Sequence, residues 1–217
     1  MPKNVNLYPK KYCIILSADK YIVGLTGGIG SGKTTVAKIF ETYNIPVFYA
    51  DDAAKYLMSK NDDLIKKIKK LFGNDAYSGK HLNRKHIAAQ VFENKDKLMQ
   101  LNALVHPAVG KYFAEWTAKQ ESNLVIKEAA ILIESGSYKD CNEVVVVTAP
   151  EQLRIKRLLK RDVSSEQEIK NRMQHQLTDN ERLKYAHHHI KNDEKHSLLL
   201  QCDNLVKNWC TQSLLIC

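Results

Sequence analysis

The sequence predicts an α/β protein, a doubly wound parallel sheet of about five strands with a helical insertion and a helical lid, on three observations. Short runs dense in aliphatic residues alternate with stretches in which apolar residues recur every three or four positions, the pattern of strands joined by crossover helices. Residues 27–34 read GGIGSGKT, a complete G-x-x-x-x-G-K-[ST] phosphate loop. They stand between the apolar run Tyr21-Ile22-Val23-Gly24-Leu25 and a helical pattern carried by Val36, Ile39, Phe40 and Tyr43. A second strand-like run, Val47-Phe48-Tyr49-Ala50, ends on the acidic pair Asp51-Asp52, and open α/β sheets place their chemistry at the carboxyl ends of strands. The sheet is therefore expected to be of the P-loop NTPase type.

Each element follows in chain order. Residues 1–20 are basic and polar with one short apolar run and read as an extension, with room for a loosely held extra strand. Asn44-Ile45-Pro46 breaks the first helix before the second strand. From Ala53 to about Gln120 helical patterns dominate, at 62–72, 84–92 and 96–105 and again after Pro107, with Gly73 and Gly79 marking turns. Leu124 to Glu134 reads as a third buried strand and Glu143 to Thr148 as a fourth, stopped by Ala149-Pro150. Glu151 to Lys160 is helical and runs into a dense basic stretch, followed by a capping candidate, Ser164 or Ser165 with Glu168. Ile190 marks a last short strand, and Leu198 to Trp209 a final amphipathic helix. The expected organisation is an extension (1–20) and one domain (21–217). Within that domain 21–51, 121–160 and 186–217 form the nucleotide core, 52–120 a helical acceptor subdomain and 161–185 a lid.

Composition narrows the class. With 217 residues, 44% hydrophobic and 26% charged, the chain can bury one main core plus a small insertion. A net charge of +9 suits a nucleic acid or a polyanionic small substrate equally. The runs Lys66-Lys67 and Lys69-Lys70 occupy the polar side of a pattern made by Leu64, Ile65, Ile68 and Leu71, and so read as a solvated face. Absence of an RNA-binding signature or zinc-finger spacing turns the expectation away from nucleic acid. The five cysteines are scattered without a C-x-x-C pair, which argues against a disulfide framework or thiolate metal site and fits a reducing cytoplasm. No run reaches the roughly eighteen apolar residues a membrane crossing needs. The expectation is a soluble cytoplasmic protein, a monomer or a weak homo-oligomer.

Several pieces in order carry a resemblance to a known family: GLTGGIGSGKTTVA at 24–37, the Ala-Asp of Tyr49-Ala50-Asp51, LNALVHP at 101–107, EAAILIESG at 128–136, KRLLKRD at 156–162 and RMQHQ at 172–176. The spaced Arg182, Ala186, Ile190 and Asn192 complete the set. Over about residues 21–210 the chain resembles the dephospho-coenzyme A kinases, which move the γ-phosphoryl of ATP to the 3′-hydroxyl of dephospho-coenzyme A. The phosphate loop is common to a large superfamily, whereas LNALVHP is much more specific. The family usually has Asp-Ala-Asp where this chain has Tyr49-Ala50-Asp51, so only the second carboxylate carries over. It also usually has proline where Ala130 stands and often Asp at position 187 rather than His.

Phosphoryl transfer asks a protein for a phosphate cradle, Mg²⁺, a carboxylate to orient the hydroxyl, and mobile cations. The motif supplies the first: Gly28, Ile29, Gly30, Ser31, Gly32, Lys33, Thr34 and Thr35 are expected to cradle the ATP phosphates, with Lys33 bridging β and γ oxygens and Thr34 on Mg²⁺. Glu128 is a weaker candidate for reaching the ion or the substrate. The resemblance implies Asp51 as general base beside the acceptor ribose, although an Asp there also fits a helix N-cap ahead of Ala53-Ala54-Lys55. Arg161 is the first choice for a lid guanidinium over the γ-phosphoryl and Arg157 the second; Arg154 and Lys160 suit a solvated basic face as well. By resemblance Thr26 touches the reacting phosphates and Asn192 the adenine, with a structural strand-end threonine and a turn asparagine as the alternatives. His106 is expected to shape the acceptor pocket or simply to pack. The run His187-His188-His189 is discounted as a metal tract because consecutive side chains do not converge on one ion. Two other readings stay open: a nucleoside monophosphate kinase of the same architecture, and a nucleic-acid-dependent ATPase.

Overall fold

The computed structural model describes residues 20–162 and 165–212, so the reading of residues 1–19 as an extension and of Ser164 as a cap lies outside the described residues. In chain order the strands are β1 (Tyr21–Thr26), β2 (Val47–Tyr49), β3 (Tyr77–Ser78), β4 (His81–Leu82), β5 (Leu124–Glu128), β6 (Glu143–Thr148) and β7 (His188–Lys191). β3 and β4 pair with each other as a small hairpin; the other five form one sheet in the order β2-β5-β1-β6-β7. Every pairing in that sheet is parallel, from Tyr21 against Leu124 to Thr148 against Lys191. The helices are α1 (Lys33–Thr42), α2 (Ala50–Lys60), α3 (Asp62–Phe72), α4 (Arg84–Glu93), α5 (Lys95–Ala118), α6 (Glu151–Arg161), α7 (Glu166–Gln174), α8 (Asp179–Leu183) and α9 (Leu198–Gln212).

Alternation along the strands feeds two cores. Val23, Leu25, Leu124, Ile126, Val145 and Val147 face α1 and α9, where they meet Val36, Phe40, Cys202 and Trp209. Val125, Val144 and Val146 point the other way onto Phe48, Ala53 and Phe113 of α5. Both faces of the sheet are thus covered, as a parallel sheet requires, and each fully buried aliphatic side chain contributes roughly 1.5–3 kcal/mol. Helices α2 to α5 enclose a third core of their own, built on Leu57, Leu64, Ile68, Phe72 and Val105. In α3, Lys66, Lys67 and Lys70 are exposed opposite Leu64, Ile68 and Phe72, the solvated face that its pattern predicts.

Local chemistry sets the helix ends. Asn61, Asn83 and Asn94 each accept a hydrogen bond from a first-turn N–H of α3, α4 and α5. Ser165 with Glu168 and Thr178 with Glu181 close capping boxes on α7 and α8, so Ser165 is the N-cap of α7.

Four readings differ from the structure. The third strand ends at Glu128, not Glu134. Its partner β1 turns into the phosphate loop after Thr26, so beyond the Ala129 N–H on the Leu25 carbonyl there is no ladder left to join. Leu132 and Ile133 are apolar because they are buried in the turn that follows. Pro107 lies inside α5 and does not interrupt it. The missing N–H and the ring clash cost about 3 kcal/mol, and packing of Val105, Val109, Tyr112 and Phe113 on either side outweighs it. Ala50 begins α2 instead of ending β2, because the helix buries the small residues Ala50 and Ala53 that carry little periodic signal. The two-residue strands of the hairpin are too short to announce themselves by alternation.

Candidate active site

The phosphate loop leaves the carboxyl end of β1 at the centre of the sheet and enters α1 at Lys33. Gly32 is the N-cap with φ 94°, and a Cβ there would stand 2.1 Å from Asn192 Nδ2. A Cβ on Gly28 would stand 2.3 Å from Arg154 Nη2, so both positions admit only glycine without rearrangement. Four side chains from distant parts of the chain hold the loop. Arg154 Nε donates to the Ile29 carbonyl (2.8 Å), and the Ile29 N–H donates to Gln176 Oε1 (2.8 Å). Asn192 Nδ2 donates to the Ser31 carbonyl (2.8 Å), and Arg157 Nη2 donates in turn to Asn192 Oδ1 (3.1 Å). Ser31 Oγ is buried and has no partner among the described residues.

A cleft of about 960 Å³ opens over the loop. It is lined by Ile29, Gly30, Lys33 and Thr34 from the loop and α1, by the acidic Asp51, Asp52 and Glu128, and by Arg161, Arg172 and Gln176. Lys33 is almost wholly buried and donates to the Gly27 carbonyl (2.9 Å). Burial holds its ammonium below the ordinary lysine value, and the nearby charges of Glu128 and Asp51 pull it back up. Glu128 is pushed up to about 7 by burial, against the pull of Lys33 and with added push from Asp51 and Asp52. Arg161 donates to both carboxylate oxygens of Asp162 (2.7 and 3.2 Å), and Arg172 reaches the same carboxylate at 3.1 Å. One acidic side chain thus holds two guanidinium groups at the rim. Behind it Arg182, fully buried, pairs with Glu134 at 2.9 Å and lies 3.7 Å from Asp179, which Arg154 also approaches at 3.6 Å.

A second cleft, of about 410 Å³, lies between α2 and α5 above the end of β5 and holds His106. Among the described residues, Asp51 alone lines both clefts. It sits in the first turn of α2, whose N-cap is Tyr49, so the N-cap alternative for Asp51 does not apply. Burial, together with the charge of Lys127, keeps the His106 imidazole below its ordinary value.

A family model described as dephospho-CoA kinase matches residues 21–197. The chain belongs to the dephospho-CoA kinase family. It is a kinase of coenzyme A biosynthesis, acting at the final step. It is 37% identical to the dephospho-CoA kinase of Porphyromonas gingivalis, over 85% of this chain and 92% of that one. It is 41% identical to that of Chlorobaculum tepidum, over 79% and 86%. Among solved structures it is similar to TT1252 from Thermus thermophilus (TM-score 0.79, 30% identity, 88% of this chain and 97% of that one). It is also similar to the dephospho-CoA kinase from Campylobacter jejuni (TM-score 0.64, 26% identity, 89% and 98%).

Within this kinase the residues singled out from sequence do not all meet at one cleft. Ile29, Gly30, Lys33, Thr34, Asp51, Glu128 and Arg161 share the phosphate cleft. Arg157 and Asn192 meet each other behind the loop, and His106 lies in the second cleft. Thr26 is fully buried at the end of β1, its hydroxyl 3.5 Å from the Ala130 carbonyl, and lines neither cleft. The three histidines diverge as expected: His187 accepts from the Val144 N–H, His188 meets Glu143 and His189 meets Thr148. Arg172 and Gln176 carried only a motif match in the sequence, with no assigned role; Arg182 likewise.

Glu128 gives this kinase a pH dependence of stability with a definite sign. A carboxyl raised from 4.5 to about 7 binds its proton more tightly folded than unfolded, so stability is highest below about 4.5 on this account and falls as pH rises to about 7. The span is roughly 3 kcal/mol, about 2.5 units at 1.36 kcal/mol per unit. Glu128→Gln is expected to flatten the slope of unfolding free energy between pH 5 and pH 7, measured by denaturant titration. An unchanged slope rejects the assignment.

Proposed function

We propose that the phosphate cleft binds ATP, that the second cleft binds dephospho-CoA, and that Asp51 joins the two reactions sites as general base. The observation that carries this is the position of Asp51 at the junction, with its charge felt by Lys33 on the phosphate side. Asp51 takes the proton of the acceptor 3′-hydroxyl as its oxygen bonds to the γ-phosphorus; the bond from that phosphorus to the β,γ-bridging oxygen breaks and ADP leaves with the electron pair. Lys33 neutralises oxygens of the transferring group. Arg161 and Arg172, held together by Asp162, close over it from the rim and exclude water. Arg157 and Asn192 keep the loop in its binding shape from behind.

Mg²⁺ fits the donor set here. Thr34 is exposed at the start of α1 and lines the same cleft as the carboxylates of Asp51, Asp52 and Glu128, all hard oxygen ligands. When bound, the ion neutralises phosphate oxygens. Thr34 would hold it directly, and Glu128 through water.

Among the described residues no helix is long and apolar enough to cross a membrane. The test is ADP formation from ATP with dephospho-CoA, AMP, CMP or GMP as acceptor, with and without a chelator. Turnover confined to dephospho-CoA, abolished by chelation and restored by Mg²⁺, is expected. Turnover with a monophosphate alone would mark the nucleoside monophosphate kinase reading as correct.

A further inference from the structure

The second cleft has a buried cation at its floor that the phosphoryl transfer does not use. Lys127 lies on β5, paired in register with Gly24 and Phe48, in the middle of the sheet, where strands normally carry aliphatic side chains. It is 4% exposed, its ammonium is 4.9 Å from the centroid of the Phe113 ring, and it makes no hydrogen bond among the described residues. Among the described residues its one ion-pair partner is Asp140, whose carboxylate stands 4.0 Å away, beyond hydrogen-bond reach, and is itself largely exposed at the cleft mouth. The side chain is buried but lines the cleft, and its hydrogen-bond donors are not taken up by any described residue, so an acceptor that enters the cleft with a ligand can meet them.

We propose that Lys127 and Asp140 read the edge of the acceptor's purine base, Lys127 donating to a ring nitrogen and Asp140 accepting from the exocyclic amine. This rests on the reading of the second cleft as the acceptor site. An amine donor beside a ring-nitrogen acceptor is the pattern that adenine presents, and a donor and an acceptor side by side on the protein complement it. The walls suit a flat ring: Ala54, Met58, Leu101, Val105 and Ile131 are aliphatic and flank the polar floor. The acceptor's diphosphate is the poorer occupant, because it would bring its charge to an aliphatic slot against the Asp140 carboxylate. Hypoxanthine, with a carbonyl where adenine has its amine, sets an oxygen against Asp140 and loses the match.

Initial rates test this, with ATP and acceptor varied separately, for the wild-type chain, Lys127→Met and Asp140→Asn. The acceptors are dephospho-CoA and its counterpart carrying hypoxanthine. Wild type is expected to prefer the adenine acceptor by about 10²-fold in kcat/KM. Lys127→Met is expected to raise the acceptor KM about tenfold while leaving kcat and the KM for ATP within about twofold. Asp140→Asn, whose amide donates as well as accepts, is expected to shrink the preference for adenine at least about fivefold. Lys127→Met keeps the stem and volume of the side chain, and unfolding curves confirm that it is folded. An unchanged acceptor KM in a folded Lys127→Met, or an unchanged base preference in Asp140→Asn, overturns the proposal. An equal rise in KM for both acceptors with unchanged preference in Asp140→Asn would hand Lys127 to the diphosphate and overturn the base assignment too. Failure of the wild-type chain to phosphorylate either acceptor would instead strike the reading of the cleft itself.

Discussion

Asp51→Asn is expected to lower kcat by about 10²–10⁴-fold, the contribution of a positioned general base, with the KM for ATP nearly unchanged. The substitution keeps shape and hydrogen-bonding reach and removes only the ability to take a proton. Asp51 stands in the first turn of α2, at 11 residues long enough to hold its start rigid, and Ala50 and Ala53 on the same turn are buried in the core that faces α5. The fold therefore does not depend on its charge. A carboxylate there also gains from the positive end of the α2 dipole, worth about 0.3–1 kcal/mol, and Asn forfeits that much. Steady-state kinetics with ATP and dephospho-CoA varied in turn separate the cases. A large fall in kcat with both KM values kept supports the base; a kcat within about threefold of wild type removes Asp51 from that role. A rise in acceptor KM alone would make it a binding residue.

Which parts of this site could be read from sequence follows from how far apart its members lie. The phosphate loop was legible because all its chemistry is contiguous: glycines for close approach, Lys33 and Thr34 follow one another, and strand and helix flank them. Asp51 was legible because β2 ends beside it. The props of the loop were not. Gln176 reaches the Ile29 N–H across 147 positions, and Arg154 reaches the Ile29 carbonyl across 125, and no local pattern announces such a pair. Arg154 read equally well as part of a basic surface face, yet it is buried against Gly28. Lys127 was hidden differently, inside an apolar run read as one buried strand, where nothing local sets it apart, and the structure puts it in the lining of a cleft. The fold suffered in the same way at two points. Apolarity from 129 to 134 reports burial and not strand, since what ends β5 is the loss of its neighbour β1. Pro107 obeys its local penalty, but tertiary packing along α5 decides the outcome.

Lys33→Met is expected to lower kcat by about 10²–10³-fold, the effect of deleting one charge-stabilising donor from a preorganised site, and to raise the KM for ATP as well. Both follow from where the ammonium lies. It is nearly buried, donates to the carbonyls of Gly27 and Gly28 at 2.9 and 3.4 Å, and is thereby held at the cleft floor, where the proposed ATP site would put the terminal phosphates. Methionine keeps the length and volume of the stem, so loop and helix should retain their packing. The change also reaches Glu128. Lys33 is the main group that pulls the Glu128 carboxyl down against burial, and without it that carboxyl should titrate above about 7. The pH window over which stability falls should therefore extend upward in Lys33→Met, the opposite direction from the flattening expected of Glu128→Gln. Unfolding free energies from pH 5 to pH 9 for the three proteins distinguish these outcomes. A Lys33→Met protein with near-normal turnover would reject the phosphate role. One with lost turnover and an unmoved titration would separate Lys33 from Glu128 and leave the buried carboxyl without its counter-charge.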